Sequence, residues 1–170
     1  HLYSVPYTQK IDEIQSILVR QGSLGVLFID LSPFSQIERD YGSRAFAKVL
    51  TSATELIEQL KGTEVRKEDV LATSENCDDT LLIFVSPRRS GEPAVLSEIQ
   101  EVAQRIEIHL NRKLARRTYP FVNQRPNVTV GYAFTIKNPL VMPARLVARV
   151  INDARDCVHF LDRKSGSAGM

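Results

Sequence analysis

The hydrophobic positions change period several times along the chain, and each change marks an element. Ile11, Ile14, Ile17 and Leu18 recur at helical spacing within residues 7–21, and Gly22 closes the run, which predicts an amphipathic helix. Residues 24–29 form an almost unbroken apolar stretch, as in a strand buried on both faces, and the stretch ends at Asp30. Ser32 and Pro33 predict a helix start, the serine as cap and the proline in the first turn; Tyr41-Gly42 cuts that helix short. Ser43 is placed to cap a longer helix reaching about residue 61, with Phe46, Val49, Leu50, Ala53, Leu56, Ile57 and Leu60 on one face. Gly62 is a natural stop.

Residues 70–74 and 81–85 predict the strands of a hairpin whose turn, residues 75–79, is polar and acidic. After a loop over residues 87–93, Leu96, Ile99, Val102, Ile106 and Leu110 predict a helix over about 94–115. Residues 120–126 are broken by proline; 128–134 predict a strand and 143–161 a last helix. The Gly/Ser-rich tail from Lys164 is expected to fray. Behind the leading helix the order is strand-helix-helix-strand-strand-helix-strand-helix, without internal repeats. It suits an α+β domain, a mixed sheet covered by helices.

Composition changes this picture little. The length of 170 residues suits one full core. The division expected is an N-terminal segment and linker helix (1–22), a main domain (23–163) and a flexible tail (164–170). The chain opens on His1 rather than Met, which points to a piece of a longer protein. No apolar run approaches the roughly 20 residues that span a bilayer, and no signal peptide opens the chain, so a cytoplasmic domain is expected, with no membrane contact. Cys77 and Cys157 are expected to stay reduced, and His1, His109 and His159 lie too far apart in sequence for a finger-like metal site. A formal charge of +2 does not by itself imply a nucleic-acid partner. The basic run Arg112, Lys113, Arg116 and Arg117, near Tyr119 and Phe121, reads as a solvated helix end that complements the helix dipole.

Three segments carry a family resemblance. Residues 30–37 (Asp-Leu-Ser-Pro-Phe-Ser-Gln-Ile) followed by Tyr41-Gly42 resemble the D-x-D-x-F-K-x-I-N-D-x-x-G-H segment of GGDEF diguanylate cyclases. Asn76-Cys77-Asp78-Asp79-Thr80 stands where that family carries its G-G-D-E-F turn, and residues 127–133 resemble the strand that follows. The resemblance spans about residues 24–166 and implies a nucleotidyl-cyclase-like fold with a ferredoxin-like core and a hairpin bearing the altered signature.

In that family two domains meet, each holding one GTP with divalent metal, to make cyclic di-GMP. The resemblance places Asp30 at the metal-binding aspartate and Asp78-Asp79 at the acidic pair, so carboxylates persist. Asn76 and Cys77 replace the glycines that let backbone approach a phosphate, and Thr80 replaces the phenylalanine. Glu38 and Ala47 stand at the guanine-reading positions and Ser35 at the phosphate-binding lysine. The implied domain is therefore not an enzyme, with Asp30, Asp78 and Asp79 vestigial and no metal or cofactor assigned; the alternatives are carboxylates that still hold a magnesium ion weakly in a weakly active cyclase, and a protein-interaction domain that recognises no nucleotide.

Arg66-Lys67-Glu68-Asp69 resembles the family's R-x-x-D product-binding site, although six residues rather than five separate Asp69 from Asn76. Arg105, in Ala103-Gln104-Arg105-Ile106, resembles the arginine of the next helix that completes the site. Two guanidinium forks can grip phosphates or the guanine O6/N7 edge, and a carboxylate can accept from guanine N1 and N2. The competing reading is an exposed i,i+3 ion pair between Arg66 and Asp69, worth a few tenths of a kcal/mol. The partners implied are cyclic di-GMP and an unidentified protein. The leading helix is a candidate signal-transmitting linker or pairing surface for a second copy, and residues 1–6 are expected to lie across the vacated nucleotide cleft.

Overall fold

A computed structural model describes residues 5–74, 79–86, 94–118 and 127–168. A short 3₁₀ turn (Tyr7–Lys10) leads into α1 (Ile11–Gln21), followed by β1 (Ser23–Asp30), α2 (Phe34–Tyr41) and α3 (Ser43–Gln59). The hairpin strands are β2 (Val70–Thr73) and β3 (Thr80–Val85); α4 (Ala94–Thr118), β4 (Thr129–Ile136) and α5 (Pro143–Ala168) complete the order.

The four strands are arranged β2-β3-β1-β4, and every neighbouring pair is antiparallel. This departs from the mixed sheet that the element order suggested, for a topological reason. The crossover through α2 and α3 joins β1 to β2, which run the same way but are separated by β3. The crossover through α4 likewise joins β3 to β4 on either side of β1. Both are split βαβ units, the ferredoxin-like arrangement, and they place like-directed strands one apart.

Strand alternation divides the core in two. Leu27, Ile29, Leu81 and Ile83 face α2, α3 and α4, with Phe34, Leu50, Leu56 and Ile106 among the residues packed against them. Val26, Phe28, Leu82 and Phe84 face α1 and α5, meeting Ile14, Leu18, Val147 and Val150. β1, like β3, has a neighbour on both sides, and its Leu24, Val26, Leu27 and Ile29 are fully buried, as its continuous apolar run predicts. Gly131 on β4 permits the closest approach of α5: a Cβ there would strike the Ala154 carbonyl oxygen and the Val158 side chain.

Several boundaries differ from expectation. Neither Ser32 nor Ser43 caps a helix through its side chain. Pro33 takes helical angles, tight bonds from Phe34 N to Leu31 O (2.9 Å) and from Ser35 N to Ser32 O (3.0 Å) start α2, and Gly42 at φ 95° turns the chain directly into α3. The helix expected from residue 7 opens as the 3₁₀ turn. The last helix runs on to Ala168 rather than ending near residue 161, since propagation along an established helix outweighs the roughly 1 kcal/mol cost of one glycine. Of residues 1–6, Val5 and Pro6 lie along the outer edge of β2: the Thr73 amide donates to the Val5 carbonyl at 2.9 Å, and Pro6 bridges Thr73 in parallel. Lys10 Nζ donates to the Leu71 carbonyl at 2.9 Å on the same edge. These contacts satisfy backbone groups of an otherwise open strand, while residues 1–4, the rest of the segment expected across the cleft, lie outside the described residues.

Candidate functional site

The residues singled out by sequence fall into two places, at opposite ends of β1. At its C-terminal end, Asp30 is half-buried and pairs across the sheet with Thr80 on β3 and Thr129 on β4. Its register puts it on the face of α1 and α5 with Val26 and Phe28. The Asp30 carboxylate accepts from the Ser32 amide at 3.0 Å, a local turn that stabilises the exit from the strand. The Leu31 amide donates to the Asp79 carbonyl at 2.7 Å, tying the strand's exit to the hairpin. Thr80 is the first residue of β3 and is only 4 % exposed, so it belongs to the sheet rather than to the turn.

Asn76, Cys77 and Asp78 lie outside the described residues. Glu38 and Ala47 are exposed on α2 and α3, and the Ser35 hydroxyl donates to the Ser32 carbonyl at 2.8 Å. Among the described residues no three His, Cys, Asp or Glu side chains gather as a metal cage would require.

The second place is a cleft of about 280 Å³ between the α3–β2 connection, the N-terminal half of β1 and α4. Leu27, Val85, Ile99 and Val102 form its apolar floor, and Arg66, Asp69 and Arg105 all line it. Residues distant in sequence, Arg66 with Asp69 and Arg105 on α4, are thus brought together. Asp69 is 7 % exposed, and its role is local: its carboxylate accepts from the Arg66 amide at 2.8 Å, while its own amide donates to the Arg66 carbonyl at 3.1 Å. The exposed side-chain pair that sequence offered as the plain alternative is replaced by this reciprocal turn. Burial pushes the Asp69 carboxyl above its usual range, opposed by the bond from the Arg66 amide, the Arg66 charge and a bond from the Ser86 backbone. Arg66 Nη1 donates to Ser86 Oγ at 3.4 Å, which holds the guanidinium along the cleft wall.

Arg105 reaches the cleft but is not a lone cation. Its Nε donates to Glu64 Oε2 at 2.8 Å, and Nη1 lies 4.0 Å from Glu101 Oε2. Glu64, Ser86, Glu98 and Glu101 also line the cleft. Sequence reading missed all four; Glu101 is legible as an i,i+4 partner of Arg105, whereas Glu64 and Ser86 arrive only through the fold.

Elsewhere, α4 binds the edge of β4. Asn111 exchanges two hydrogen bonds with the Val128 backbone (2.7 and 3.0 Å), and Glu107 Oε1 accepts from the Val130 amide at 2.9 Å. Burial raises the Glu107 carboxyl above its usual range. Within the basic helix end, Arg117 pairs with Glu55 of α3 at 2.9 Å; Tyr119 and Phe121 lie outside the described residues.

No protein-family model matches the chain, and no curated protein matches it. Solved structures do. The GGDEF domain of YfiN (TpbB) from Pseudomonas aeruginosa superposes with a TM-score of 0.65 at 18% identity, covering 96% of this chain and 93% of that one. The fold is that of a GGDEF domain. The GGDEF domain of DgcB from Caulobacter crescentus, solved in complex with c-di-GMP, gives a TM-score of 0.62 at 14% identity, over 93% of this chain and 83% of that one. The diguanylate cyclase SiaD from Pseudomonas aeruginosa, solved with its activator SiaC, gives 0.60 at 16% identity, over 92% of this chain and 53% of that one. No helix among the described residues of this GGDEF-like domain is long and apolar enough to cross a membrane.

Proposed function

We propose that this is a catalytically inactive, cytoplasmic GGDEF-type signalling domain that binds cyclic di-GMP in the cleft of Arg66, Asp69 and Arg105 and relays its occupancy to a protein partner. The observation that carries the reading is the convergence of those three residues, drawn from the α3–β2 connection and α4, on a single cleft with an apolar floor. Arg66 and Arg105 supply forked donors for phosphate or the guanine O6/N7 edge, and Leu27, Val85 and Ile99 supply a surface for the flat purine. Asp69 holds the turn that aims Arg66. The structure of the DgcB GGDEF domain with c-di-GMP gives a precedent for the ligand class, and SiaD with SiaC one for a protein partner.

Loss of catalysis is supported at the other end of β1. Asp30 is engaged by the Ser32 amide, Glu38 offers a carboxylate but no donor for the guanine O6/N7 edge, and Ala47 offers no polar group. Calorimetric titration with cyclic di-GMP tests the binding half: saturable heat at micromolar concentrations is expected, and silence up to high micromolar would sink it. Incubation with GTP and magnesium tests the other half, and product formed in proportion to protein concentration would restore the domain to the active cyclases.

A second reading, a protein-interaction domain that recognises no nucleotide, is favoured by one observation. Glu64, Asp69, Glu98 and Glu101 line the cleft against the two arginines, an unfavourable balance for a dianion. The same titration separates the two.

A further inference from the structure

We infer that Glu64 is an internal competitor for the Arg105 guanidinium: the ligand of the cleft displaces this carboxylate to enter, and Glu64 thereby sets the affinity and the salt response of the site. The inference rests on the cyclic di-GMP reading and adds a residue to it that recognises no part of the ligand. Arg105 Nε lies 2.8 Å from Glu64 Oε2, a charge-assisted bond, while the contact to Glu101 is looser at 4.0 Å. Both glutamates line the cleft beside Arg105.

Glu64 is also held in place from behind. Val65 is 2 % exposed, and its amide donates to the Leu60 carbonyl at 3.0 Å. The Thr63 amide and hydroxyl donate to the same carbonyl at 3.1 and 2.9 Å. The turn after α3 is therefore fixed, and it presents Glu64 and Arg66 on either side of the buried Val65, both lining the cleft. Among the described residues the Arg66 guanidinium bonds the Ser86 hydroxyl and forms no ion pair within 4.0 Å, whereas Arg105 is already paired with Glu64. Binding there exchanges one anion for another, so the gain is only the difference between two charge-assisted bonds, and the released carboxylate repels the ligand's second charge. The Glu64 and Arg105 side chains are 33% and 52% exposed, so the pair is partly solvated and open to exchange rather than locked.

The test is a calorimetric titration of cyclic di-GMP into the wild type, Glu64→Gln and Glu101→Gln, at low and at physiological salt, with circular dichroism to confirm that all three are folded. Glu64→Gln keeps the side chain's shape and removes its charge; it is expected to bind about three- to tenfold more tightly than the wild type, the range of a partly exposed ion pair plus one removed repulsion. Affinity of Glu64→Gln should also fall more steeply with salt, because its ligand no longer replaces an anion already present. Glu101→Gln should gain less than half as much on a logarithmic scale. Equal gains in the two variants would reduce the effect to bulk charge and overturn the inference. Binding by the wild type with no gain in Glu64→Gln overturns it alone and leaves the ligand assignment standing. Absence of binding in all three overturns both.

Discussion

Acidic turn residues lie near both ends of β1, Asp30 and Asp79 at one and Asp69 at the other, and the fold gives them different company. At the C-terminal end, Asp30 accepts from the backbone two residues on, and Asp79 lends its carbonyl to Leu31. Both serve the exit of a strand into its neighbouring turn. At the other end and on the opposite face of the sheet, Asp69 serves a turn as well, but one that places Arg66 in a cleft opposite Arg105. Leu27 and Val85, which pairs with Gly25, mark that cleft, so about five residues, or roughly 17 Å of strand, separate the two places. An acidic side chain in a turn is thus uninformative by itself. What distinguishes a candidate site is whether the turn delivers a neighbour to a concave, partly apolar surface.

The strongest way to break this comparison is to remove Arg66. Arg66→Ala should weaken cyclic di-GMP binding at least about 100-fold, since charge-assisted bonds are worth about 1.5–3 kcal/mol each, while leaving the fold intact. Titration beside Asp30→Ala, which should bind like the wild type, sets the two ends of β1 against each other. Equal losses in both variants would erase the distinction.

Gly131→Ala probes the opposite face. Its new Cβ meets backbone of α5 rather than a yielding side chain, so stability should drop by about 2–3 kcal/mol, the upper part of the overpacking range. The Arg66 cleft lies across the sheet, so the molecules that remain folded should keep their affinity. Denaturant unfolding and titration on the same sample check both parts.

Asp30→Ala itself should cost about 1 kcal/mol in a denaturation midpoint, the net worth of one hydrogen bond to the Ser32 amide. A loss several times larger would mean that Asp30 does more than stabilise a turn.

The smallest effect concerns pH. Burial raises the carboxyls of Glu107 and Asp69, with the negative charge of Asp162 adding to the rise at Glu107 and that of Glu68 at Asp69. The folded state therefore holds these protons more tightly than the unfolded chain. Their stabilising contribution is full below the ordinary carboxylate range and is lost as pH rises through the raised values. Glu107→Gln keeps an acceptor for the Val130 amide and removes the titration. Its stability relative to wild type should be more favourable at about pH 7 than at about pH 4. The reverse order in chemical unfolding would contradict the burial argument.

Much of the architecture was legible from the chain. The unbroken apolar run before Asp30 marked the central strand, and the helical spacing through Phe46 and Leu60 marked α3, because burial on two faces and on one stripe leaves different periods. Arg66, Asp69 and Arg105 were nameable from resemblance before any geometry placed them in one cleft. The caps expected of Ser32 and Ser43 failed because local propensity yields to neighbouring backbone: Pro33 and Gly42 had already set the angles at which each helix starts.

What the sequence by itself determined, then, is the elements, their order and the residue types available for chemistry, all of which depend on periodicity or on neighbours within a turn. Only the tertiary structure decided which partners those residues meet. Glu64 and Arg105 stand 41 positions apart and meet at 2.8 Å because α4 packs beside the end of α3, a long-range contact that no local pattern encodes. The antiparallel sheet was decided in the same way, since an order of strands does not say which strand is inserted between two others. The use made of each carboxylate, in a turn or at a cleft, follows from that packing.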